Sequence, residues 1–433
     1  MGVRFRLIFP LLSVKITTRY QASEKWCVLG MLWFVCLLNY ADRQAISSLF
    51  PLLERDFGFS KMELGLIGSS FMWVYALSAP FAGFAGDRLS RKGLILGGCL
   101  FWSLLTGVTG LCGRLWQFIV SRSLIGLGES VYFPAATSLL SEYHGLSTRS
   151  TALSFHQSAV YIGTIAGGWI AALLANHYGW KWAFYGFGAA GMFVSLLLWG
   201  FLREPRRGKS EQDAAIDGRK SRSIGATFQN LTSHPGVLLL MGAFACANAV
   251  GAIFLVWAPT FLFEKFHLSL VVAGLSGVAA MQLASALSAP LSGVLADRLS
   301  IHFKGARMLV QAAALLMGAF CVAAVGHASN VGTLLGAMFC FGFCKGAYDG
   351  GIFASVFDLV EPTERASVAG LMNLLGWGGG ALGPLLIGLA STYGSGTPME
   401  RMSCAIVWSS AAYLAGSALI IRAFWQYRNP PVD

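Results

Sequence analysis

The chain has 433 residues, of which 55% are hydrophobic types and only 12% are charged. A soluble protein carries about 25% charged residues, so this composition excludes a water-soluble globular fold, and lipid must cover much of the outside. The formal net charge of +11 does not point to nucleic acid, because Lys and Arg collect in one set of connections.

In chain order, residues 1–25 hold Arg4, Arg6, Lys15, Arg19 and Lys25 around a short apolar run. Pro10 interrupts that run and no small-residue cleavage site follows, so the segment reads as a basic cytoplasmic arm rather than a signal peptide. A membrane-spanning helix needs about 20 apolar residues. Six such runs lie near 26–50, 64–86, 93–113, 115–140, 152–175 and 180–201, and predict a first six-helix bundle over 26–201. The polar stretch 202–236 carries seven Lys and Arg residues and reads as a linker on an anionic leaflet. Six further runs near 237–262, 270–296, 308–326, 331–356, 366–390 and 404–424 predict a second bundle over 237–424, with a short tail at 425–433. The expected fold is therefore all-α and integral to the membrane, with twelve transmembrane helices in two six-helix bundles.

With the N-terminus placed in the cytoplasm, 22 of the 31 Lys and Arg residues fall on cytoplasmic segments, 6 on the outer loops and 3 inside helices. This bias predicts that both termini are cytoplasmic. Residues 76–90 (ALSAPFAGFAGDRLS) and 286–300 (ALSAPLSGVLADRLS) match at ten of fifteen positions, each at the cytoplasmic end of the second predicted helix of its half. Two related halves account for that repeat.

The nine Cys residues include no C-x-x-C pair, and no His-rich cluster occurs, so neither a metal nor a redox cofactor is expected. No H-E-x-x-H, G-x-S-x-G or phosphate-loop pattern points to an enzyme.

The informative residues are charges inside spans. The first span carries Asn39, Tyr40, Asp42 and Arg43; the fourth carries Arg122, Gly126, Gly128 and Glu129, with Tyr132 beyond them. Arg122 and Glu129 are seven residues apart, so they share a helix face about 10 Å apart along the axis. A charge at mid-bilayer costs about 2.5 to 3.5 kcal/mol on insertion scales, so these groups are expected to face a cavity and pair with one another. The tenth span carries Lys345, Tyr348 and Asp349, with Lys345 and Asp349 spaced i, i+4. Gln157 and Tyr161 on the fifth span and Asn373 and Trp377 on the eleventh are further candidates for substrate contact. His156 reads as a helix-end residue.

On these residues the chain resembles the major facilitator superfamily. Its loop after the second helix is similar to the family signature G-x-x-x-D-R-x-G-R-R, through Gly83, Asp87, Arg88, Arg91 and Lys92, with Ser90 in place of a glycine. The second copy keeps Asp297 and Arg298 but lacks the adjacent basic pair, its nearest basic residue being Lys304, and reads as degenerate. The resemblance implies that these loop residues gate a conformational change. The L-N-Y-A-D-R stretch, taken with Arg122 and Glu129, resembles two branches, the proton-coupled organic anion symporters and the spinster-like lipid transporters. It implies Asp42 and Glu129 as the proton-coupling pair. Substrate contacts are then expected at Asn39, Tyr40, Arg43, Arg122, Tyr132, Gln157, Tyr161, Lys345, Tyr348, Asp349, Asn373 and Trp377. The expected partners are a small anionic solute such as a sugar acid, protons and membrane lipids, with no nucleic acid. A lysophospholipid is the alternative solute, and a transport-inactive sensor the remote one. The expected form is a monomer in the plasma (inner) membrane.

Overall fold

The computed structural model describes residues 8–144, 146–205, 235–360 and 365–428. Side chains at 8–23, 83–84, 86–88, 146–147, 149–150 and 365–367 are not among those described, so the Gly83, Asp87 and Arg88 side chains of the expected gate lie outside this account. Residues 1–7 of the basic arm and 206–234 of the linker lie outside the described residues, and 8–23 of the arm are described only as backbone. Among the described residues every regular element is an α-helix. The first half holds α1 (Ile8–Ser48), α2 (Phe50–Phe57), α3 (Lys61–Arg88), α4 (Arg91–Thr109), α5 (Leu115–Ser130), α6 (Tyr132–Tyr143), α7 (Leu146–Tyr178) and α8 (Trp180–Phe201). The second holds α9 (Pro235–Phe266), α10 (Leu270–Ser300), α11 (Ala306–His327), α12 (Val331–Asp349), α13 (Ile352–Phe357), α14 (Arg365–Thr392) and α15 (Pro398–Arg428).

Among the described residues, ten segments are long and apolar enough to cross a membrane. The other two spans, α1 with α2 and α5 with α6, are those that carry Asp42, Arg43, Arg122 and Glu129. Three spans that the sequence reads as single helices are each interrupted, at Leu49, Val131 and Gly350–Gly351. The causes are local. Pro51 and Pro134 lack the N–H donor an uninterrupted helix requires, and a glycine pair costs backbone entropy in a helix. The fourth and tenth spans thus break at matching places. Capping marks several helix starts: Ser60 and Glu63 form a reciprocal capping box on α3, and Asn330 accepts from the Thr333 N–H at the start of α12. The repeated segments end α3 and α10, with Pro80 and Pro290 at the same place in each.

The halves meet at the face opposite the termini. There Lys61 Nζ donates to Glu54 at 2.5 Å and also to Glu264 of the other half. The Met62 N–H donates to Thr392 Oγ1 at 2.9 Å, and Gln44 Nε2 to the Leu255 carbonyl at 2.7 Å. A Cβ on Gly65 would sit 2.9 Å from the Pro384 carbonyl oxygen, so that glycine permits α3 and α14 to touch.

Each half instead closes its own charges at the termini face. Arg91, 2% exposed, donates from Nη1 to Glu142 at 3.3 Å and from Nε to Glu204 at 3.4 Å. Glu204 also accepts from the Arg91 N–H at 2.8 Å and from Ser90 Oγ. Burial pushes the Glu204 carboxyl up, but these donors outweigh it and hold it below the usual carboxylate range. In the second half Arg307 bridges Asp297 at 2.8 Å and Asp358 at 2.8 Å. Arg307 follows Arg91, and Asp358 follows Glu142, by the same 216 residues. The reading of the second copy as degenerate is thereby corrected: its basic partner is Arg307, at the start of the next helix, rather than Lys304. Lys92 is half-buried and Arg298 exposed.

Candidate functional site

A cavity of about 530 Å³ lies between the halves. Tyr40, Arg43, Gln44 and Ser47 of α1 line it at the i, i+3, i+4, i+7 spacing of one helix face. Asn39 and Asp42 fall on another face of α1 and turn away into the first half. Asp42 is buried and accepts from Thr106 Oγ1 of α4 at 3.3 Å, while its Oδ1 has no partner.

Arg43 donates from Nε to Glu129 Oε2 at 2.5 Å. Its guanidinium carbon lies 4.4, 5.0, 4.7 and 5.3 Å from the ring centroids of Tyr40, Phe71, Tyr75 and Trp377. Such distances suit cation–π attraction. Glu129 is fully buried, and its Oε1 has no hydrogen-bond partner.

Arg122 lines the cavity, stacks on Phe71 at 4.8 Å and makes no described ion pair; its Nε has no partner. The chain can bring α5 this close to α3 because residue 126 is glycine: a Cβ there would sit 2.5 Å from the Phe71 carbonyl oxygen. The sequence expectation that the four charges pair with one another holds only for Arg43 and Glu129.

The lining also carries Gln157 and Tyr161 of α7, in the first half, and Gln282, Lys345, Asp349 and Trp377 of the facing second half. Lys345 and Asp349 pair at 2.5 Å within one turn of α12. Between the polar groups the lining is apolar, through Phe71, Met72, Leu255, Val256 and Phe353.

Four residues expected to contact substrate lie outside the cavity lining. Asn39 is buried with neither amide atom partnered, and Asn373 is exposed and outside the cavity lining. Tyr132 donates to the Leu32 carbonyl at 2.7 Å, and Tyr348 is buried with its hydroxyl unpartnered. His156 corrects the sequence reading of a helix-end residue. It sits inside α7, buried, with Nε2 at 2.9 Å from the Tyr132 hydroxyl. Sequence reasoning missed Gln44, Phe71, Tyr75 and Gln282. The signal for Gln44 was its one-turn spacing from Tyr40; Phe71 and Tyr75 are likewise one turn apart. Among the described residues no group of three or more His, Cys, Asp or Glu is arranged to hold a metal ion.

A family model described as Major Facilitator Superfamily matches residues 32–384 and 276–433. The chain is 28% identical over 417 residues to "Probable anion transporter 4, chloroplastic" of Oryza sativa subsp. japonica, spanning 92% of this chain and 68% of that protein. It is 33% identical over 245 residues to protein spinster homolog 1 of Homo sapiens, spanning 55% of this chain and 46% of that protein. A crystal structure of a bacterial homologue of the human lysosomal transporter spinster, inward-facing and unoccupied, is similar in fold. It has a TM-score of 0.77 at 21% identity, over 93% of this chain and 96% of that one.

Proposed function

This chain belongs to the Major Facilitator Superfamily as a multi-pass membrane transporter, and we propose that it moves a small organic anion by proton-coupled alternating access. The single observation that carries the reading is Arg122: a buried guanidinium on the cavity wall with no acid paired to it. An isolated buried cation is costly, and a carboxylate or phosphate accepting two of its N–H groups offsets that cost with directional bonds. The similarity to an anion transporter over 92% of the chain points the same way.

Coupling follows from the neighbouring pair. Arg43 Nη1 has no partner and faces the same cavity as Arg122. An anion seated on Arg122 draws Arg43 toward it and weakens the bond to Glu129. A buried carboxylate without its cation must regain one or take up a proton. Asp42, buried with one free oxygen, is the second proton carrier. Three bases and three acids, Arg43, Arg122, Lys345, Asp42, Glu129 and Asp349, balance when all are ionised, so an arriving anion keeps the balance by bringing a proton. The Lys and Arg bias places the termini face in the cytoplasm. Since the halves touch at the opposite face, this conformation offers the cavity to the cytoplasmic side.

The test is uptake into proteoliposomes, driven by an inward proton gradient beside counterflow at equal pH. Accumulation that follows the gradient supports the reading; counterflow without gradient-driven accumulation removes proton coupling. A second reading, a lysophospholipid, is favoured by the apolar lining and by the partial similarity to a spinster homolog. Thermal-shift screening of sugar acids against lysophospholipids separates the two.

A further inference from the structure

Among the described residues, Trp377 is the one cavity residue of the second half whose ring reaches the first half's ion pair. It sits on α14, stacks obliquely on Tyr75 of α3 with centroids 4.6 Å apart, and lies 5.3 Å from the Arg43 guanidinium. The other rings around Arg43, from Tyr40, Phe71 and Tyr75, all belong to the first half and move with it. A change in the angle between the halves therefore leaves three walls of the cage in place and shifts the fourth.

We infer that Trp377 is a positioning residue that holds Arg43 on Glu129 in this conformation and releases it when the halves reorient. The inference rests on the proton-coupled reading above and deepens it: the state of the halves is transmitted to the proton site through one aromatic ring. The physical basis is that cation–π attraction strengthens in desolvated surroundings, and that Arg43 has one guanidinium nitrogen without any partner. Such a group is held by its ring walls as much as by its acid. The groups facing Glu129 besides Arg43 are Asp42, Tyr40 and Cys36 of α1, Cys99 of α4, and Arg122 on its own helix. All of these belong to the first half, so none reports on the second.

The experiment uses the full-length protein in proteoliposomes, with wild type, Trp377→Ala and Trp377→Phe. Arg43 is labelled with phenylglyoxal and read by peptide mass spectrometry, and pH-driven accumulation is divided by counterflow for each variant. The expected result is Arg43 labelling at least about fivefold faster in Trp377→Ala, with the accumulation-to-counterflow ratio falling about as much, and both restored toward wild type in Trp377→Phe. Equal labelling and an equal ratio in wild type and Trp377→Ala overturn the inference while leaving the transport reading standing. Faster labelling with an unchanged ratio overturns it too, since Trp377 then only shields Arg43. A wild type that shows no pH-driven accumulation overturns both.

Discussion

The two walls of the cavity handle buried charge in opposite ways. On the second-half wall Lys345 and Asp349 neutralise each other within one helical turn. On the first-half wall the charges are spread over two helices: Arg43 takes Glu129, Asp42 turns to Thr106, and Arg122 is left facing the cavity. A local i, i+4 pair is a stable resting arrangement. A set in which one cation has no acid and one acid has no cation is a reactive one. Under the proposed proton-coupled reading, the difference gives binding and coupling to the first half and leaves the second as the wall that the first half moves against.

The largest expected effect comes from removing the unpaired cation. Arg122→Ala should weaken solute binding about 100-fold, and Arg122→Lys about tenfold, because the charge alone cannot reproduce two parallel hydrogen bonds. Equilibrium binding of labelled solute measures both, and normal affinity in both variants would make Arg122 structural. Next, Glu129→Gln should cut accumulation driven by a pH gradient about tenfold, more than it cuts counterflow, with Asp42→Asn weaker or similar. Normal gradient-driven accumulation by the double variant Asp42→Asn, Glu129→Gln would erase the contrast between the walls.

The second wall is tested by a cycle. Lys345→Met alone strands Asp349 and should reduce uptake about five- to tenfold, whereas Lys345→Met with Asp349→Leu should recover most of that loss. No recovery would mean that Lys345 binds solute directly. The smallest effect concerns Glu204 at the termini face. Its carboxyl is held below the usual range, so its contribution to stability is present above its ordinary value near pH 4.3 and is lost as pH falls through the folded value. Glu204→Gln should therefore lower the melting temperature near neutrality by a few degrees and flatten its fall on acidification. A parallel fall in both proteins would detach Glu204 from the clamp.

Much of the architecture was legible because membrane helices announce themselves by length and apolarity, and because the Pro80 and Pro290 repeats mark equivalent ends. Arg122 and Glu129 were legible as a shared face, since helical period alone aligns residues seven apart. What periodicity does not reveal is which neighbour a face meets. Asp42 and Arg43 are adjacent in sequence yet turn to different helices, and Tyr75 enters the site through the packing of α3 on α1 and α14. Arg307 escaped notice because the loop before it is longer than the one before Arg91. The breaks at Val131 and Gly350 had visible causes in Pro134 and the glycine pair, but each run was apolar enough to read as one helix.

Lys61 has an acid on each side of the boundary between the halves, Glu54 from its own and Glu264 from the other. When the opposite face parts, Lys61 keeps Glu54, and only Glu264 is returned to water, where a carboxylate is well hydrated. Separation there is an exchange of partners in which no ammonium is stranded in apolar surroundings. The lock resists drift yet opens without the penalty of an orphaned charge, and it should open more readily as the salt bathing that face rises.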